Sequence, residues 1–355
     1  MRDLATELLQ WHTAGKSYAV ATVIGVTGSA PRPPGAALAV DAEGAVIGSI
    51  SGGCVEGAVY ELCREVLRTG QSMRETFGYS DEDAFAVGLT CGGELEVFIQ
   101  AITPDEHGTI RAILQSTEAV ALVRDLNTGA ATALGTWWTL GAIFDEVIVA
   151  EARAMLDTGS TGLRVVGCGA GERTIFVESY VPAPRMIVFG AIDFAAAVTR
   201  IGRFLGYHVT VCDARPVFAT RARFPDADEI VVEWPDRYLA RTPVDSRTVL
   251  CVLTHDAKFD IPLLEVALRL PVAYVGAMGS RRTHADRHAR LRAVGVSEAE
   301  LAQLHSPIGL DLGGRTAEET AVAVAAEIVA VRRGGSTQPL TTSDGPIHRD
   351  LVPAW

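Results

Sequence analysis

The chain has 355 residues, 48% of them apolar and 21% charged, which is core-forming material for two domains, since single cores rarely grow beyond about 250 residues. A formal net charge of −12, with no basic stripe, excludes nucleic-acid binding of the ordinary phosphate-neutralising kind. No apolar run approaches the ~20 residues that span a bilayer.

The acid-containing N-terminus lacks a small-residue cleavage site and does not read as a signal peptide. It reads as a short amphipathic helix ending at Gly15. Residues 17–26 predict a strand. Residues 36–50 predict a hairpin around Asp41-Ala42-Glu43-Gly44. The loop Ser51-Gly52-Gly53 then opens a helix from about Cys54 to Arg68, stopped at Thr69-Gly70. Residues 94–102 form a strand with Leu95, Val97 and Ile99 on one face. A helix near 106–116 follows, then strands 118–125 and 130–139 joined at Asn127-Thr128-Gly129. A helix over 143–157 and a hairpin around Ala170-Gly171-Glu172 complete an α+β domain over residues 1–180.

Val181-Pro182-Ala183-Pro184 marks the boundary, because proline breaks both ladders and helices. Beyond it, residues 185–190, 209–213, 229–233, 248–254 and 272–278 are short, nearly continuous apolar runs separated by helical stretches. Buried parallel strands look like this, so an α/β, Rossmann-like parallel-sheet domain is expected over 185–333, closed by a helix at 316–332. Residues 334–355, rich in Gly, Ser, Thr and Pro, read as a mobile or partner-bound tail.

A dinucleotide site wants G-x-G-x-x-G/A after the first strand. The stretch here is Gly190-Ala191-Ile192-Asp193-Phe194-Ala195. The first glycine is present and Ala195 is acceptable, but Ile192 stands where the backbone should approach a pyrophosphate. Asp193 suits a helix dipole and repels a phosphate. NAD(P) is therefore not expected, although Asp213 ends the second strand where a ribose-reading carboxylate belongs; plain capping explains it equally. Other strand ends can converge on the same crevice: Gly190, then His255 and Asp256, then Gly279. Gly279 leads into Ser280, an N-cap with Arg281 and Arg282 in the first turn. Arginines there oppose the dipole, so they either hold an anion or are solvated surface charge. Thr316 and Glu319 have capping-box spacing.

The six cysteines show no CxxC and no zinc spacing, and are expected to be reduced thiols in a cytoplasm. Cys54 follows Gly52-Gly53 at a predicted helix start, where the dipole and free amides favour a thiolate. Cys91 lies in a second glycine loop, Cys91-Gly92-Gly93-Glu94. The two thiols could together form a soft-metal or sulfur-handling site, or be small residues at tight turns. Cys63, Cys212 and Cys251 read as core, and Cys168 is assigned no role. Glu56, Glu94 and Glu96 read as solvated carboxylates rather than acid/base groups.

The ordered motifs Gly28-Ser29-Ala30-Pro31-Arg32-Pro33-Pro34-Gly35, Gly48-Ser49-Ile50-Ser51-Gly52-Gly53-Cys54-Val55-Glu56 and Cys91-Gly92-Gly93-Glu94 resemble the N-terminal domain of the XdhC/CoxI family, accessory factors of xanthine dehydrogenase and related molybdenum hydroxylases. Thr254-His255-Asp256 through Phe259-Asp260, Tyr274 to Arg281 and Ser306-Pro307-Ile308-Gly309-Leu310-Asp311 resemble its Rossmann domain. The resemblance spans roughly residues 10–333. It implies a chaperone more than a catalyst. Such a protein binds molybdenum cofactor (molybdopterin), protects it during sulfuration and delivers it to an apo-hydroxylase such as xanthine dehydrogenase. A cysteine desulfurase as second partner and a homo-oligomer belong to the same expectation. The family usually carries Gly and His where this chain has Ile192 and Asp193. Two other readings stay open: an NAD(P)-dependent oxidoreductase, and a non-catalytic partner protein with a vestigial nucleotide site. The hydroxylase itself is excluded, since the chain has no four-cysteine iron–sulfur spacing and is short for clusters, flavin and molybdopterin together.

Overall fold

The computed structural model describes residues 1–28, 32–78, 93–167 and 171–344. The chain divides into two compact units, Met1–Pro182 and Ala183–Trp355.

The first unit is α+β. Its first sheet holds β1 (Tyr18–Thr27), β2 (Ala37–Asp41), β3 (Val46–Gly48), β4 (Met73–Phe77) and β5 (Glu94–Ile102), in the order β3-β2-β1-β5-β4, and every pairing is antiparallel. The central strand β1 has little polar alternation because both faces are covered. Ala19, Ala21 and Val23 meet Val59, Cys63 and Val66 of α2 (Glu56–Thr69). Tyr18 and Val20 join a second cluster with Leu8 of α1 (Ala5–Thr13) and Ile110 and Ile113 of α3 (His107–Gln115). The second sheet contains β6 (Val120–Asp125), β7 (Ala131–Gly135), β8 (Thr139–Gly141), β9 (Gly162–Val166) and β10 (Arg173–Tyr180), in the order β8-β7-β6-β10-β9. Ile148, Ala152 and Met155 of α4 (Glu146–Thr158) seal one face against Val123 and Val177.

Three local expectations need correction. The helix expected from Cys54 starts at Glu56. The strand expected over 130–139 is two antiparallel strands, β7 and β8, because the chain reverses after Gly135, whose amide donates to the Trp138 carbonyl. Strand β4 has no counterpart in the sequence pattern, since its middle residues Arg74, Glu75 and Thr76 are exposed at a sheet edge and give no apolar run.

The second unit is one parallel sheet of β11 (Arg185–Phe189), β12 (His208–Asp213), β13 (Glu229–Val232), β14 (Val249–Val252), β15 (Tyr274–Ala277) and β16 (Leu304–His305). Its order is β13-β12-β11-β14-β15-β16. Helices α5 (Asp193–Phe204) and α10 (Ala317–Arg333) supply the apolar cluster on one face. Helices α6 (Pro235–Arg241), α7 (Ala257–Ala267), α8 (Arg281–Ala293) and α9 (Glu298–Leu301) supply the other. The five apolar runs are five of these strands; β16, two residues long, has too little sequence to be read. Because β11 has β12 on one side and β14 on the other, the topological switch point lies at its carboxyl end, where doubly wound sheets leave a crevice.

Candidate functional site

In the first unit, the ends of four strands and the 49–55 loop lie at one end of the first sheet. Thr27, the end of β1, pairs with Glu94, the start of β5, while β2 begins and β3 finishes toward the same end. The 49–55 loop is organised by one carboxylate. Oε1 of Glu56 accepts from Ser49 Oγ (2.7 Å), the Ser51 amide (2.9 Å) and the Ile50 amide (3.3 Å). Its Oε2 accepts from the Ser51 hydroxyl and the Gly53 amide (2.8 Å). Burial alone would raise the Glu56 pKa, but these donors, Ser51 and Ser49 foremost, hold it down at about 2. Glu56 is thus neither a solvated carboxylate nor a free acid or base; it builds the loop.

The same bonds correct the expectation of free amides around Cys54. The amides of residues 50 to 53 and of Val55 are taken by Glu56, Ser49 and Ser51. Cys54 lies two residues before the helix and is exposed. Gly52 and Gly53 have φ of 77° and 120°, and a Cβ on either would meet nothing within 4 Å. Glycine is therefore demanded by backbone conformation while the space above the loop stays open. Gly93 is buried just before β5; Cys91 and Gly92, like Cys168, lie outside the described residues, so the expected Cys54–Cys91 pair does too. Arg32, Pro33, Pro34 and Gly35 of the first motif line a cavity of about 550 Å³ beside Glu178 and Tyr180. Cys63, Cys212 and Cys251 are buried, and burial pushes each thiol up to about 12, which leaves them unreactive.

In the second unit the structure brings Gly190, Asp213, His255, Asp256, Gly279, Ser280, Arg281 and Arg282 to the carboxyl ends of β11, β12, β14 and β15. Gly190 is required there: its φ is 104°, and a Cβ would lie 3.0 Å from the Thr254 amide nitrogen and 3.1 Å from the Leu253 carbonyl carbon. Asp213 is saturated. Oδ1 accepts from the amide and Nε of Arg215, each at 2.9 Å. Oδ2 accepts from the Ala191 amide (2.7 Å) and Arg215 Nη2 (2.8 Å). Burial would raise its pKa, but Arg215 and the two amides hold it below the usual range. Four donors fill a carboxylate's lone-pair sites, so a ribose would have to displace Arg215. Ile192 is the N-cap of α5 and packs against the apolar cluster, and exposed Asp193 pairs with Arg223 at 3.1 Å. Asp256 caps α7 and pairs with Lys258 at 2.9 Å. His255, Arg281 and Arg282 are exposed. Ser280 caps α8 and Thr316 with Glu319 forms the expected capping box.

Sequence reasoning missed what fixes these strand ends. Arg287 and Asp260, both nearly buried, form an ion pair at 2.8 Å. Arg287 also donates to the Met278 carbonyl (2.8 Å) and Ser306 Oγ (2.9 Å), and Thr254 donates to Asp260. The network joins the ends of β14, β15 and β16.

Two family models match the chain: the XdhC and CoxI family over residues 11–78, and the XdhC Rossmann domain over residues 186–328. Together they take in more than half of it. The chain belongs to the XdhC and CoxI family. One relative is a probable xanthine dehydrogenase subunit from Bacillus subtilis, 28% identical, covering 88% of this chain and 93% of that protein. A second is the molybdenum cofactor insertion chaperone PaoD of Escherichia coli, 26% identical over 90% of this chain and 85% of the relative. A crystal structure of a protein called a xanthine dehydrogenase, from Bacillus halodurans, shares the fold with a TM-score of 0.63 and 23% identity, covering 96% of this chain and 98% of that one. The matched ranges take in the loop that Glu56 organises and the strand ends that Arg287 ties together. Among the described residues, no helix is long and apolar enough to cross a membrane, and no group of three or more His, Cys, Asp or Glu could hold a metal.

Proposed function

We propose that this protein is an accessory factor that binds molybdenum cofactor as cargo, holds it while a cysteine desulfurase supplies sulfur, and passes it to an apo molybdenum hydroxylase. The observation that carries the reading is the prebuilt 49–55 loop. It presents an exposed thiol beside two glycines with open space above them, on a scaffold whose one carboxylate is already committed. A soft sulfur donor suits a thiophilic metal centre, and an open backbone lets a flat ring approach closely. The name of the Escherichia coli relative supports the insertion step, and that of the Bacillus subtilis relative supports a connection to xanthine dehydrogenase. In the second unit, exposed Arg281 and Arg282 beside the switch-point crevice suit a phosphate on such cargo, and the saturated Asp213 and the Ile192 cap weigh against a dinucleotide.

The test is retention through gel filtration. Wild-type protein mixed with molybdenum cofactor should elute with pterin and molybdenum, and should then restore activity to an apo-hydroxylase. Cys54→Ser should weaken retention about tenfold with the melting temperature unchanged; Cys91→Ser belongs in the same series. Wild-type protein that elutes without pterin and metal rejects the proposal.

A further inference from the structure

The second sheet of the first unit ends in an exposed edge. The segment Trp137-Trp138-Thr139-Leu140-Gly141-Ala142-Ile143 contains no charge and no proline, two of the devices that blunt sheet edges; the shortness of its strand, three residues, is the device it does have. Its strand, β8, is outermost in the sheet, and all three of its residues are exposed. Trp137 is 91% exposed and Ile143 98%, with Val147 at 64%, Leu140 at 47% and Trp138 at 40%. Taking a large aromatic at 150–250 Å², these side chains offer on the order of 600 Å² of apolar surface, against about 800 Å² per partner in a standard interface.

The register fixes what can cover this edge. Hydrogen-bonded pairs alternate along an antiparallel ladder. The Gly135 amide bonds to the Trp138 carbonyl and the Ala142 amide to the Ala131 carbonyl, with Ala133 and Leu140 paired between them. Residues 138, 140 and 142 therefore face β7, and Thr139 and Gly141 turn their amides and carbonyls outward. A two-fold axis at Leu140 pairs Thr139 of one copy with Gly141 of the other, so four outward groups on each strand satisfy four on its mate. The same register sets Trp137 level with Ile143 of the second copy, which brings together the two most exposed of these residues. An isologous contact needs this self-complementarity. Each chain carries a net charge of −12, and the uncharged strip is a place where two copies can meet at small electrostatic cost.

We infer that β8 pairs antiparallel with β8 of a second copy of this chain, joining two five-stranded sheets into one of ten across a two-fold axis. The inference goes beyond the cargo-handling role and does not depend on it. Sedimentation analysis of the full chain should give about 75 kDa, two chains of 37.6 kDa. Thr139→Pro removes an outward donor and none of the bonds to β7, and Ile143→Asp sets a carboxylate against Trp137 of the second copy, where burial in the seam is costly. Each should raise the dimer dissociation constant at least tenfold while the circular dichroism spectrum is unchanged. Leu140→Cys sits on the axis as a non-hydrogen-bonded pair, whose ~4.5 Å Cα separation suits a disulfide. It should give a reducible covalent dimer under mild oxidation where the wild type gives none. A wild type that is monomeric at tens of micromolar overturns the inference. So does a dimer that survives Thr139→Pro and fails to crosslink through Leu140→Cys, because that dimer would lie elsewhere.

Discussion

Glu56 accepts five hydrogen bonds from residues three to seven positions upstream of it, so the geometry of the Gly52-Gly53-Cys54 loop hangs on a single side chain. Hydrogen bonds to a charged acceptor contribute about 1.5–3 kcal/mol where they are buried. Glu56→Gln turns one acceptor oxygen into a donor facing other donors, and should lower the stability of the first unit by about 2 kcal/mol, read by thermal melting. The pH dependence has a definite sign. A folded pKa of about 2, below the ordinary 4.5, gives stability that is complete above about 4.5 and is lost as pH falls toward 2; the Glu56→Gln variant should lack that component. The loop itself was legible in the sequence, because glycines before a helix start have few other readings. The role of Glu56 was not, since a carboxylate in a first turn looks the same whether it faces water or five donors.

At the scale of elements, the parallel strands were legible because burial on both faces writes an uninterrupted apolar run. What escaped were elements whose signal is not carried by burial: exposed β4, two-residue β16 and the reversal after Gly135. The Arg287–Asp260 pair escaped for a different reason. Its partners lie on α8 and α7, 27 residues apart, and are brought together only by the order β14-β15-β16. Breaking a buried pair leaves one charge uncompensated, at a cost of about 3–5 kcal/mol, whereas replacing both partners by apolar groups is often neutral. Arg287→Met should therefore destabilise the second unit by about that amount, and Arg287→Met with Asp260→Leu should recover most of it. Chemical denaturation of the three proteins checks this. A double variant no more stable than the single would show that the hydrogen bonds to Met278 and Ser306, not charge pairing, hold the strand ends.

At the scale of the whole molecule, the two units carry separate apolar cores, and acid should separate their unfolding. His12 and His107 are each 5% exposed, their rings stacked at 4.0 Å and 16° between α1 and α3, with His12 Nε2 3.0 Å from the Tyr18 hydroxyl. Burial foremost, then the neighbouring His107 and Arg111, lowers the His12 pKa from 6.5 to about 4, and burial lowers that of His107. The unfolded chain takes up a proton near pH 6.5 that the folded first unit refuses. Stability is thus complete above about 6.5 and is lost as pH falls toward 4, on the order of 1–2 kcal/mol between pH 7 and pH 5. The second unit has a weaker counterpart in His288, lowered by partial burial and by His284. Scanning calorimetry of the intact protein should therefore show the first unit's transition falling by several degrees between pH 7 and pH 5, more than the second's. His107→Phe keeps a ring against His12 and removes one titrating group, so it should reduce that fall. An unchanged fall in the variant would move the acid sensitivity to other groups of the first unit.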